Sequence, residues 1–321
     1  MTRGLAIALA LCAGLFAAVA LATSLAPPVR LFDTLHGWVR GHDMPDHVDG
    51  PEDPGALRRA AVHYDLVCAT CHASPADPRR GEDLALKPPA PRLHDRIADW
   101  PASLLFETVK NGIAGSAMPA WAAPHRDDEI WAMVAFLRRL PSLDAAAYAE
   151  LAATRTLAGD EAAPACLRCH QPDLDAAPKL SIQTPTYLSD ALRAYRGGAR
   201  KSGYMQSVAV RLSDANIERL AQRFGEAEPV QLDPEGAPDL AASGHPGRKA
   251  GACVGCHSGA ANPAFPRLAG QHEDYLATQL RLFTQAPENR GGGPYIELMR
   301  HAAGRLTEDQ VAKLAAWFST R

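Results

Sequence analysis

Thiols and imidazoles are the side chains best suited to soft-metal binding and covalent cofactor chemistry, so their spacing is taken first. Three short stretches share one arrangement: Cys68-Ala69-Thr70-Cys71-His72, Cys166-Leu167-Arg168-Cys169-His170 and Cys253-Val254-Gly255-Cys256-His257. From the chain's own Cys and His content, roughly 0.006 chance occurrences of C-x-x-C-H are expected. Three copies are therefore no accident. They use six of the seven cysteines, leaving none for the disulfides of an exported protein. A zinc reading wants paired Cys/His clusters converging on one ion. A redox dithiol wants a βαβ context, which is absent from the sequence pattern. A covalent cofactor anchor explains every position.

The spacing C-x-x-C-H is the attachment signature of c-type haem. Two thiols add to the two vinyl groups of one porphyrin, and the adjacent imidazole meets the iron from the same side. The expectation is three covalently bound haem c groups. Cys68, Cys71, Cys166, Cys169, Cys253 and Cys256 are the anchors, and His72, His170 and His257 are iron ligands.

What faces each iron from the other side decides between carriage and catalysis. A six-coordinate iron only passes electrons, whereas an open one binds small molecules. Of six methionines, Met1 starts the chain, Met44 precedes the first motif and Met133 falls on an apolar helical stripe. The remaining three, Met118, Met205 and Met299, occur once per motif, each just before a closing helix. "MQSVAVRLS" and "MRHAAGRLT" align, while Met118 lies in the Gly/Ala-rich loop before Pro119. These three are the expected sixth ligands, with His301 as the alternative to Met299. His/Met ligation raises haem potentials, because soft sulfur favours ferrous iron.

The motifs sit in repeats of about 90 residues. Each repeat continues with a Pro-basic-Leu step: Pro91-Arg92-Leu93, Pro178-Lys179-Leu180 and Pro266-Arg267-Leu268. Each closes with a stripe at i, i+3, i+4, i+7, namely Ile130/Met133/Val134/Leu137, Ile217/Leu220/Ala221/Phe224 and Val311/Leu314/Ala315/Phe318. Ser213 and Thr307 stand at N-cap positions, Thr307 with Gln310 forms a capping box, and Asp127 is the expected cap of the first closing helix. No alternating strand run appears, so the fold class is all-α.

At this point the chain resembles class I c-type cytochromes in three tandem copies over residues 55–321. The third copy, "PRLAGQHEDYLATQLRLF", is similar to tandem di-haem cytochromes of high potential. The second, "PKLSIQTPTYLSDALRAYRGGAR", is a weaker version of the same, with Ser181-Ile182 in place of an Ala-Gly step. The first, with "GIAGSAMPAW" and "DDEIWAMVAFLRRLP", resembles single-haem domains of membrane-bound respiratory cytochromes. The resemblance implies that the carbonyls of Pro91, Pro178 and Pro266 accept a hydrogen bond from the proximal histidines. It also implies haem-to-haem packing of the last two copies.

The domain expectation is a membrane anchor or signal at 1–28, an acidic linker at 29–54, and cytochrome c domains at 55–142, 143–228 and 229–321. Arg3 is followed by no charge until Arg30. As a helix, the run from Gly4 to Ala26 spans about 34 Å, enough for a bilayer core. A cleaved leader with its site at Ala20-Leu21-Ala22 is the rival reading. Residues 30–54 hold two basic and six acidic groups. His36, His42, Met44 and His47 lie among them, without the fixed spacing of a copper site. Tyr187, Tyr195, Tyr275, Arg196 and Arg200 are candidates for haem edges or propionates. The segment at about 143–160 reads as a partly helical linker.

In all, 33 basic and 36 acidic residues give a net charge of −3, which points to no nucleic acid partner. The expected function is membrane-anchored single-electron relay in a bacterial respiratory chain. The protein would sit at the inner membrane with its haem domains in the periplasm. The expected partners are a terminal oxidase, a quinol-oxidising complex or a periplasmic dehydrogenase. A dedicated cytochrome subunit of a quinol-oxidising or periplasmic dehydrogenase complex is the alternative within the same chemistry, and a haem peroxidase with one open iron is the alternative of another class.

Overall fold

The apolar stripes read from the sequence become the buried faces of three closing helices. The computed structural model describes residues 53–154, 163–171, 175, 177–225, 232–244, 251–258, 262–285 and 287–321. The apolar segment 4–26 and the His36/His42/Met44/His47 stretch lie outside the described residues. Among the described residues the structure is helical, with two isolated β-bridges and no strand. No described helix is long and apolar enough to cross a membrane.

In the first repeat, α1 (Pro54–His63), α2 (Ala102–Asn111) and α3 (Asp127–Arg139) pack together, and α4 (Ala145–Leu151) closes over α1. Ile130, Met133, Val134 and Leu137 are all buried on α3. Each such side chain contributes about 1.5–3 kcal/mol on leaving water. In the second repeat, α5 (Pro185–Arg196), α6 (Gly203–Ala209) and α7 (Asp214–Phe224) repeat the plan, with α5 packed on both others. The third has α8 (Glu273–Gln285), α9 (Ile296–Ala303) and α10 (Glu308–Ser319), with α8 packed on α9 and α10.

The caps follow sequence logic in two of three closing helices. Ser213 Oγ accepts the Asn216 N–H at 3.2 Å, and Thr307 and Gln310 close a reciprocal box at 3.3 and 3.0 Å. The first departs from it. Asp127 is inside α3 and accepts from Lys110 Nζ at 2.7 Å. Arg126 occupies the cap position without a side-chain cap. With Asp127, Asp128 and Glu129 all in the first turn, carboxylates already answer the positive end of the helix.

Arg126 and Glu129 instead join the first repeat to the second. Glu129, 5% exposed, accepts from Ser202 Oγ (2.7 Å), the Gly203 N–H (2.6 Å) and Trp121 Nε1 (3.3 Å). Arg126 pairs with Glu129 at 3.1 Å and donates to the Lys201 carbonyl at 2.8 Å. His63 packs tilted against Trp121 and edge-on to Tyr204 at centroid distances of 4.8 and 5.2 Å. Gly203 has to be glycine, since a Cβ there would overlap the Trp121 indole. The 143–160 linker is helical over α4, which buries Tyr148 in the core of the first repeat.

Two stability tests follow from this joint. Glu129→Ala leaves Arg126 its Asp128 partner but strands the Ser202 hydroxyl, the Gly203 N–H and Trp121 Nε1 without an acceptor, and should lower unfolding free energy by about 3 kcal/mol, measured by urea titration. Burial and the nearby Arg211 charge depress His63 from the usual 6.5 to about 4. The folded state thus binds this proton less readily than the unfolded chain. The stabilisation is complete above pH 6.5 and is lost as pH falls toward 4, by about 3 kcal/mol in all. The difference between wild type and His63→Phe, followed from pH 7 to 4, isolates this contribution.

Candidate functional site

Each of the three motifs forms a short helical turn: Ala69–His72, Ala163–Leu167 running on into Cys169 and His170, and Cys253–His257. A helical turn carries residues i and i+3 to one side, so it sets the two thiols of each motif along one flank. All six cysteines are unbridged. Burial pushes Cys68 up to about 12 and Cys166 and Cys169 up to about 11, and it raises Cys253 as well. These are protonated thiols at neutral pH. No group of three or more His, Cys, Asp or Glu side chains among the described residues is gathered as a chelate.

The histidines share one geometry. Nδ1 lies 2.8 Å from the Pro91 carbonyl for His72, 2.8 Å from Pro178 for His170 and 2.7 Å from Pro266 for His257. A carbonyl accepts only, so Nδ1 carries the proton and Nε2 keeps its lone pair. Burial lowers the basicity of all three rings, opposed by the proline carbonyl. Each ring is therefore neutral, oriented and free at Nε2 to bind a metal. That is the donor set haem iron requires on its proximal side.

Met205 and Met299 sit on the helices that precede two of the closing helices, whereas Met118 sits in a loop. Met205 lies in α6, whose first turn is capped by Ser202 Oγ, and Met299 lies in α9; both are partly buried. His301, on the same helix as Met299, is exposed. Met118 is partly buried in the loop after α2, where its carbonyl accepts from the Ile113 N–H at 3.2 Å. Gly112 makes this loop possible. It has φ +65°, and a Cβ would overlap the backbone of Met118 and Pro119.

The joint between the second and third repeats buries a cluster of arginines and tyrosines. Arg200, 5% exposed, donates to Tyr187 Oη at 2.9 Å and Tyr275 Oη at 3.0 Å, with the Tyr195 ring 4.7 Å away. Arg290 joins this cluster, its charge disfavoured by burial and by Arg200. Neither guanidinium has a carboxylate partner among the described residues. Arg196, grouped with these residues by sequence, turns outward to Asp214 at 2.6 Å. Arg290 was not legible, because it ends a four-residue helical turn (Pro287–Arg290) beyond α8 with no motif around it.

The motifs are also tied to one another. Arg168, inside the second motif, donates to Asp65 at 2.7 Å, three residues before the first motif. Asp65 also accepts from Tyr148 Oη at 3.0 Å. Between the second and third repeats, Gln183 and Gln271 each reach across to the peptide following the other repeat's proline.

Residues 55–137 match the family described as cytochrome c oxidase, cbb3-type, subunit III, and residues 247–321 match the family described as cytochrome c. Cytochrome c4 of Azotobacter vinelandii is 31% identical over 188 residues, which is 52% of this chain and 89% of that protein. The thiosulfate dehydrogenase electron acceptor of Stutzerimonas stutzeri is 33% identical over 182 residues, 49% of this chain and 79% of that protein. Reduced cytochrome c4 from Pseudomonas stutzeri, a solved structure, is 29% identical over 50% of this chain and 98% of its own, with a TM-score of 0.41.

The Met118 loop yields a direct test. Gly112→Ala forces an L-residue into the left-handed region against backbone and should cost about 1–3 kcal/mol. Protease cleavage within residues 112–120 should rise, measured by timed digestion and mass analysis.

Proposed function

Given that the chain belongs to the cytochrome c family, whose domains imply covalently bound haem c, we propose that it carries three such groups and relays single electrons between protein partners. Its relatives by sequence include an electron acceptor of a dehydrogenase. The observation that carries the number three is the identical histidine geometry at all three motifs, Nδ1 held by a proline carbonyl at 2.7–2.8 Å. Bound haem supplies an iron that changes charge by one without bond making.

The chain's residues do the rest. Cys68/Cys71, Cys166/Cys169 and Cys253/Cys256 fix each ring, and Pro91, Pro178 and Pro266 orient His72, His170 and His257. Met118, Met205 and Met299 would supply thioether ligands to the same irons, which would raise the potential and leave no site for peroxide, as an electron carrier requires. The ties from Asp65 to Arg168, and from Gln183 and Gln271 across the second joint, hold the three motifs as one conduit.

The family matches bear on direction. The first repeat matches an oxidase subunit family, the third matches cytochrome c, and about half of the chain, 49%, aligns with a dehydrogenase's electron acceptor. Electrons would enter at the second and third repeats from a periplasmic dehydrogenase or a quinol-oxidising complex. They would leave through the first toward a terminal oxidase. Gly4–Ala26 would anchor the chain in the bacterial inner membrane, with three haem domains outside it near 55–142, 143–228 and 229–321, the first also taking in α4.

Two measurements test this reading. The mass of the purified chain should exceed the polypeptide by three haems, and after denaturation at most Cys12 should titrate as a free thiol. Met118→Ala, Met205→Ala and Met299→Ala should each lower one midpoint potential, leave the other two, and open that ferrous centre to CO. Fewer than three covalent haems, or unchanged potentials in all three variants, would overturn it.

A further inference from the structure

The joint between the second and third repeats contains a reciprocal pair of hydrogen-bonded amides. Gln271 Oε1 accepts the Lys179 N–H at 2.9 Å, and its Nε2 donates to the Lys179 carbonyl at 3.1 Å. The same oxygen accepts the His272 N–H at 3.0 Å. In the mirrored arrangement, Gln183 Oε1 accepts the Arg267 N–H at 3.0 Å and Nε2 donates to the Arg267 carbonyl at 2.8 Å. Both side chains are buried, Gln183 at 5% and Gln271 at 2% exposure.

The Lys179 N–H belongs to the same peptide unit as the Pro178 carbonyl, which accepts from His170 Nδ1 at 2.8 Å. The Arg267 N–H likewise shares a peptide with the Pro266 carbonyl, which accepts from His257 Nδ1 at 2.7 Å. Each glutamine oxygen therefore stands one peptide away from the proximal histidine of the repeat to which it does not belong. Amide resonance links the two ends of that peptide. An N–H that donates to a strong acceptor leaves more negative charge on its own carbonyl, and serial hydrogen bonds reinforce one another in this way. A stronger carbonyl acceptor draws harder on Nδ1–H and makes the imidazole a stronger donor at Nε2.

We propose that Gln271 and Gln183 are positioning residues that set the reduction potential of the opposite repeat. Gln271 acts on the centre bound by His170, and Gln183 on the centre bound by His257. The inference rests on the haem reading above. Its direction follows from charge: a more basic imidazole favours ferric iron, so each glutamine lowers the potential across the joint. The first repeat has no such clasp from either glutamine, so it serves as the internal control.

The test uses the full haem-loaded chain with Gln271→Ala and Gln183→Ala made separately, and with Gln271→Leu to keep the bulk without the acceptor. Potentials are assigned through the ring resonances of His72, His170 and His257 in 15N-histidine-labelled protein. With Gln271→Ala or Gln271→Leu, the ferrous-to-ferric ratio at the His170 centre should rise about threefold at fixed potential, close to 28 mV at 59 mV per decade. The His170 Nδ1–H resonance should move upfield, reporting a weaker bond, while those of His257 and His72 hold. Gln183→Ala should give the crossed result at His257. Gln271→Glu keeps the acceptor oxygen and should move the His170 centre the other way. A shift confined to the substituted repeat, an equal shift of all centres, or no shift overturns the inference. A wild-type chain lacking covalent haem at His170 or His257 would instead fail the underlying reading, and mass analysis detects that separately.

Discussion

A hydrogen bond between a ring nitrogen and a proline carbonyl recurs at every motif, and much of the surrounding structure exists to present its two halves. The histidine is delivered by a helical turn of four or five residues. The carbonyl arrives from a separate stretch eight, nine or nineteen residues further on. Proline suits the acceptor position because it lacks an N–H of its own and holds its backbone extended. With Nδ1 protonated and directed to that carbonyl, Nε2 has one orientation and one role. A freely rotating imidazole would offer the iron either nitrogen at an uncertain angle. The bond converts a flexible ligand into a fixed one.

The joints between repeats are polar where the repeat interiors are apolar. Glu129, Asp65, Arg168, Arg126, Gln183 and Gln271 all make their partners across sequence separations of 70 residues or more. Buried polar contacts of this kind add little net stability against an apolar alternative, since desolvation offsets most of the attraction. What they add is a unique register. An apolar face slides, whereas a carboxylate that must meet Ser202 and the Gly203 N–H together has one docked position. Electron transfer depends steeply on separation between centres, so register is the property that such a chain requires.

Much of this was legible in the residues, and the remainder was hidden for a physical reason. Local signals held: the apolar stripes on α3, α7 and α10, the Ser213 cap and the Thr307 box all follow from i, i+3 and i+4 relations within one helix. Phe224, last on its stripe, is only half-buried because the helix ends there. Asp127 was expected to cap α3, but the neighbouring Arg126 is drawn into the second repeat and Asp127 becomes a partner of Lys110. Arg290 and the glutamine pair have no local pattern at all. Their partners lie in another repeat, and one sequence read in windows contains no trace of that pairing. The repeat itself held one clue: Gln183 and Gln271 stand five residues after Pro178 and Pro266, a match invisible until both were seen to reach across.

The doubled glutamine clasp bears on how such chains can be rearranged. Tandem repeats invite the idea of exchangeable modules, each bringing its own cofactor and its own properties. Here the peptide behind His170 is completed by a side chain from the third repeat, and the one behind His257 by a side chain from the second. Grafting a foreign third unit onto this chain would strand the Lys179 amide and alter a centre in a segment left unedited. The two halves form a single unit of inheritance, and a change at one glutamine is felt first by its neighbour.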